Sequence, residues 1–188
     1  IITIDVDSDY IITQPKNPLV SLLNKYNFKA AWFFLTKNIK EKKNFLNDLM
    51  QQGYEIGWHG FNHDHKIAFL SEKKIKYRIE KSKEFFYEYN VKGMRLNNFL
   101  WSKKIYKLLN GIIQYDTSFN DCFPFAERGE GCFTSLPFLM KYGLWQIPTT
   151  ITGDFVLDFN LPFEKKNSFI NFFHHRSFYE IFRIPLTK

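Results

Sequence analysis

Short, almost wholly apolar runs alternate along this chain with longer stretches in which apolar residues recur every three or four positions. The first kind reads as buried strand and the second as amphipathic helix. IITID (1–5), KAAWFFL (29–35), YEIGWHG (54–60), KGMRL (92–96), IIQYDTSF (112–119) and LWQIPTTI (144–151) have the strand pattern, and NFFHH (171–175) is a last strand or the start of a helix. Between them NPLVSLLNKY (17–26) predicts a helix, with Asn17 as N-cap, Pro18 at the first helical position and Leu19, Leu22, Leu23 and Tyr26 on the inward face. KEKKNFLNDLMQQG (40–53) predicts a second, with Phe45, Leu46, Leu49 and Met50 inward and Gly53 as its stop. A lysine-rich helix is expected from Ser71 to Tyr89, and another over SKKIYKLLNG (102–111), capped by Ser102 and stopped by Gly111. Residues 120–137 read as loop.

Strand and helix in alternation predict βα units, and so an α/β domain built on a mostly parallel sheet. No repeat, linker or low-complexity tract interrupts the 188 residues, so a single domain over 1–188 is expected. The polar residues gather where strands end, which is where barrels and doubly wound sheets put their active sites.

Charge and composition change this picture little. The chain carries a formal +7 with a pI near 9.3, but its lysines lie in runs such as SEKKIKYRIEKSKE (71–84), interleaved with glutamate at helical spacing. That is the pattern of a solvated helix face, and it predicts no nucleic-acid partner. Phe, Tyr and Trp make up 19% of the chain, enough to pack a core and to line a cleft. Cys122 and Cys132 have no paired-ligand spacing; they could bridge in a secreted protein, and two thiols suit a reducing compartment equally well. No apolar run approaches the ~20 residues of a membrane span, and no export signal is visible, so a cytoplasmic location is expected.

The chemistry is concentrated in a few places. GWHGFNHDH (57–65) holds three of the five histidines, with His59 at a strand's C-terminal end and His63 four residues on; His65, beside Asp64, reads as an exposed loop residue. TIDVDSD (3–9) crowds Asp5, Asp7 and Asp9 at the exit of the first strand, and alternation points Asp5 and Asp7 the same way. Carboxylates that close repel unless a cation holds both ionised. Two imidazoles and one carboxylate make a three-ligand site for a divalent ion such as zinc, and the second carboxylate is left to accept a proton from water. Arg95 is suited to pairing with that base. Asp116 follows apolar strand residues, and His174 or His175 supplies a late imidazole able to protonate a leaving group.

Assembled in this order, these stretches resemble the polysaccharide deacetylase (NodB homology) family, carbohydrate esterase family four. ITIDVD is similar to that family's T-F-D-D strand, FKAAWFFLTKNI to its A-T-F-F segment, and GYEIGWHGFNH to G-H-E-I-G-x-H-[ST]-x-x-H, the most specific match. GMRLNNFLWS is similar to its arginine motif, YDTSF to Y-D-[ST]-S, and FFHH to its final L-x-H. The resemblance implies a distorted (β/α) barrel of about seven strands, a divalent metal, usually zinc, and hydrolysis of an N-acyl group, acetyl or formyl, from an amino sugar. It implies Asp5 as base, Asp7, His59 and His63 as ligands, Arg95 steadying Asp5, and His174 as the acid, tuned by Asp116. Val6 separates aspartates that are adjacent in the family, so Asp9 stands beside Asp7 as a candidate ligand. Leu96, Asn97 and Asn98 follow Arg95 where the family has proline and an aromatic. The interval from Asp154 to Ser168 is short for a helical crossover: either one βα unit is abbreviated or residues are missing there. With no export signal, work on a surface polysaccharide's sugar or precursor is expected. Hydrolysis of another small amide, or a silent domain that kept metal and sugar binding, are the alternatives.

Overall fold

The computed structural model describes residues 2–7, 17–64, 67–119 and 134–149. Among these, seven strands form one sheet. Strands β1 (Ile2–Val6), β2 (Ala30–Phe34), β3 (Glu55–Trp58), β4 (Gly93–Met94) and β5 (Tyr115–Asp116) lie side by side in sequence order, all parallel. The short β6 (Phe138–Leu139) folds back antiparallel on β7 (Trp145–Gln146), and β7 pairs in parallel with β5. Helices α1 (Pro18–Lys25), α2 (Lys43–Gln51), α3 (Glu72–Glu88) and α4 (Lys103–Leu109) connect the parallel strands. This is the expected mixed α/β, seven-stranded architecture.

The helices begin where the sequence places their caps. The Asn17 side chain accepts from the Leu19 and Val20 amides at 3.0 and 3.2 Å, and Ser102 accepts from Ile105 at 3.4 Å. Gly53, at φ +75°, ends α2. Two inward faces differ from expectation. On α1 the buried residues are Val20 and Leu23, while Leu22 and Tyr26 are exposed. Four of the five residues from Leu19 to Leu23 are apolar, so the pattern does not phase so short a helix, and packing chooses the stripe. On α2, Leu46 and Leu49 are buried but Met50, in the helix's last turn, is exposed; the α-helix begins only at Lys43, after a separate 3₁₀ turn over 39–42. Strand β6 falls on a stretch with no predicted element; two residues are too few to show a period.

Strand alternation divides the sheet into two unlike faces. On one, Val6, Trp32, Phe34, Ile56, Trp58, Met94 and Leu96 pack with Leu46, Leu49, Ile75, Ile79, Phe86, Ile105 and Leu109 from the helices, all in one buried core. On the other lie Thr3, Asp5 and Asp7 of β1 and its exit, Phe33, then Gly57 and His59, Arg95, and Tyr115 and Thr117. The two glycines of this second face make room for rings. A Cβ on Gly57 would lie 2.4 Å from the Phe33 ring, and one on Gly93 would lie 2.0 Å from the Tyr115 ring, whose hydroxyl reaches Glu55 at 2.7 Å. The aromatic side chains thus form a floor beneath the polar residues.

Candidate metal centre

His59 follows directly on β3 and is buried, at 3% exposure. Its backbone is fixed on both sides: its N–H donates to Phe34 O at 2.8 Å, and its carbonyl accepts from the Asn97 side-chain amide at 2.8 Å. The ring is fixed too. Nδ1 donates to the Arg95 carbonyl at 2.7 Å, which sets the tautomer and leaves Nε2 as the lone-pair nitrogen, turned toward Asp7. His59 Nε2 lies 3.0 Å and His63 Nε2 3.3 Å from the same oxygen, Asp7 Oδ1. The potential ligand atoms of Asp7, His59 and His63 all lie within 4.8 Å of one another.

The loop carrying His63 is anchored at several points. Thr36 and Lys37 amides donate to Gly60 and Phe61 carbonyls at 3.0 and 2.7 Å, and Asp64 forms a two-point ion pair with Arg78 of α3 at 3.1 and 2.5 Å. The donor set of two imidazoles and one carboxylate, with the second nitrogen of one imidazole on a backbone carbonyl, fits a divalent cation of the zinc type. The electrostatics agree. Burial alone would lower the His59 pKa, but the Asp7 and Asp5 carboxylates and the Arg95 carbonyl outweigh it and leave the group raised. The negative charge that attracts a proton there is equally suited to a metal ion.

Asp5 stands beside this cluster, its Oδ1 3.9 Å from His59 Nδ1 and 3.2 Å from Arg95 Nη1. Arg95 is itself buried, donating through Nε to Thr117 Oγ1 at 2.9 Å and through Nη2 to Thr3 Oγ1. Of the candidate residues singled out in the sequence, Asp5, Asp7, His59, His63 and Arg95 are therefore brought together. Asp116 is not among them. It alternates with Thr117 and turns to the helix side, where it accepts from Tyr106 of α4 at 2.7 Å and from Ser118 at 2.5 Å. Complete burial pushes its carboxyl up to about 6, against the pull of those two hydroxyls and of Arg95. His174 and His175, with Asp9, His65 and both cysteines, lie outside the described residues.

A family model described as polysaccharide deacetylase matches residues 1–108. The chain belongs to that family. No curated protein matches it. Among solved structures, a Mycobacterium smegmatis protein assigned as a polysaccharide deacetylase is similar over 92% of this chain and 71% of its own, at 17% identity and a TM-score of 0.62. A family 4 acetyl xylan esterase from Clostridium thermocellum, in complex with a cobalt ion, matches 66% of this chain and 61% of its own, at 21% identity and a TM-score of 0.52. The Bc1960 peptidoglycan N-acetylglucosamine deacetylase matches 61% of this chain and 54% of its own, at 20% identity and a TM-score of 0.52. At these identities the likeness is one of fold. The chain spans less than two thirds of the length of the last two proteins.

The residues that hold Arg95 and His59 in place do not stand out in sequence. Thr3, Thr117 and Asn97 are common residue types with no diagnostic spacing. Only alternation could have found the threonines, since Thr3 shares a face with Asp5, and Thr117 the face opposite Asp116.

Proposed function

We propose that the chain is a metal-dependent hydrolase that removes an N-acyl group, acetyl or formyl, from an amino sugar, in the making of a surface polysaccharide. The observation that carries this reading is the cluster of Asp7, His59 and His63 with the Asp5–Arg95 pair directly beside it. Asp7, His59 and His63 would hold the ion, with zinc the best match to the donor set. When bound, such an ion supplies Lewis acidity toward water and toward an acyl oxygen.

The protein's own groups do the rest. Arg95 holds and orients Asp5 through their 3.2 Å pair, so that Asp5 takes the proton of the attacking water. Thr3 and Thr117 hold the guanidinium in turn. His174 delivers a proton to the departing amine. For Asp116 the proposed part is support: by engaging Tyr106 and Ser118 it fixes the strand that presents Thr117 to Arg95.

The basic surface does not suggest another role. Lys40, Lys43 and Lys83 pair with Glu84, Glu88 and Glu80 at 3.4, 2.7 and 2.8 Å, which favours a solvated surface over a phosphate-binding one. No helix among the described residues is long and apolar enough to cross a membrane. The second reading, a silent sugar-binding domain, draws on Leu96, Asn97 and Asn98 after Arg95, where the family has proline and an aromatic.

The test combines metal analysis with acetate and formate release from a panel of acylated amino sugars. The expected results are about one divalent ion per chain and hydrolysis of at least one sugar. Asp7→Asn should lose metal, whereas Asp5→Asn should keep it and lose ~10²–10⁴-fold in rate. Reversed effects would exchange the two roles. Metal binding without hydrolysis of any sugar would favour the silent domain.

A further inference from the structure

We propose that Phe99 is a positioning residue, whose ring holds the Arg95 guanidinium in place against Asp5. The proposal rests on the reading of Asp5 as the base. All three guanidinium nitrogens are engaged around the edge of the group, Nε with Thr117, Nη1 with Asp5 and Nη2 with Thr3. What remains of a planar guanidinium is its faces, and two rings attend them. The Phe33 centroid lies 5.2 Å from Arg95 Cζ and the Phe99 centroid 5.8 Å, both within reach of a cation–π attraction.

The two rings are held in different ways. Phe33 is a core residue of β2, wholly buried, and lies over Gly57. Phe99 belongs to no strand. It closes the 3₁₀ turn Asn97–Phe99, four residues after Arg95, with φ at +55°. A bulky side chain there is a true outlier, in a region glycine occupies without strain. The surrounding bonds over-determine it: the Asn97 side chain ties the turn to the His59 carbonyl, and the Phe99 and Leu100 amides close on Leu96 and Asn97 at 3.1 and 3.2 Å. Strain kept in this way at a functional site has a use. Here the use is the ring itself, which shields the guanidinium from water and directs its charge along its edge, to Asp5.

Three variants separate the ring from the backbone. Phe99→Gly relieves the positive φ but removes the ring, Phe99→Leu removes the ring and keeps the strain, and Phe99→Tyr keeps both. The direct readout is the rate at which the Arg95 Nε–H proton exchanges with water, followed by NMR; it rises when the guanidinium loses its cover or its bond to Thr117, and it is independent of activity. The expected result is slow exchange retained in Phe99→Tyr and faster exchange in Phe99→Gly and Phe99→Leu. Against acetylated chito-oligosaccharides, the Gly and Leu variants should lose about threefold to thirtyfold in kcat at unchanged KM and unchanged metal content. Thermal midpoints should place Phe99→Gly no lower than Phe99→Leu. An Arg95 exchange rate and kcat unmoved by Phe99→Gly would overturn the proposal, as would a Phe99→Tyr variant impaired as much as the glycine one. If the unsubstituted protein hydrolyses no acylated sugar, the functional reading falls, and the Arg95 exchange rate alone decides: faster exchange in Phe99→Gly upholds the positioning and constancy overturns it.

Discussion

Asp116→Asn should tilt the protein's stability profile toward higher pH. The wild-type carboxyl is 1% exposed, and burial raises it from 3.8 to about 6 despite two hydroxyl donors. Between those values the folded chain binds more protons at this site than the unfolded chain does. The favourable contribution is therefore complete below about pH 3.8 and is lost as pH rises through about 6. At 1.36 kcal/mol per unit, a shift of this size is worth on the order of 2–3 kcal/mol between about pH 4 and pH 7. Asparagine has the same shape, can still accept from Tyr106, and does not titrate. Urea unfolding of both proteins, at steps across that range, gives the difference in unfolding free energy at each pH. Subtraction removes every other titrating group. The difference should swing toward the variant by that amount as pH rises. Curves that stay parallel would show that Asp116 ionises as freely when folded as when unfolded, and that its burial against α4 costs nothing.

Replacing both His59 and His63 by alanine should abolish retention of metal through purification, measured by elemental analysis; His63→Ala alone should weaken metal binding yet leave metal-free stability within about 0.5 kcal/mol, since that ring is the more exposed of the two. Gly57→Ala should cost about 1–3 kcal/mol in denaturant unfolding, because the new methyl would lie 2.4 Å from the Phe33 ring, and it should slow hydrolysis as well, because that ring lies under Arg95.

Which parts of this were legible beforehand follows from how local each signal is. Asp5 and Asp7, or His59 and His63, carry their relation in their own spacing, so the strand and the loop after it announce the cluster. Arg95 lies 90 residues from Asp5, and only its place at a strand end and the resemblance of its motif linked the two. Phe99 gave no signal. Its role depends on a backbone angle that nothing in LNNFL encodes, and a phenylalanine argues against a left-handed turn. Asp116 was readable in part: neighbours on a strand face opposite ways, so Asp116 and Thr117 cannot both meet Arg95, and the choice between them belongs to tertiary packing. The same holds for α1, where an almost continuous apolar run left the buried stripe to be chosen by the sheet.

The division of the sheet into two faces also couples function to stability in β1. Ile4 and Val6 face the helices while Thr3, Asp5 and Asp7 face the site, with Asp5 opposite Phe33 and Val6 opposite Phe34 in the register with β2. Because the side-chain period is two, a slip of one residue would exchange the two sets. Asp5 and Asp7 would then enter an apolar layer of tryptophan and phenylalanine, at the desolvation cost of two carboxylates, and Arg95 would lose its partner. The burial of Trp32 and Phe34 that stabilises the fold thus also fixes the register that brings Asp7 to the histidines. The position of the candidate metal ligands is in this sense a property of the core on the other side of the same strand.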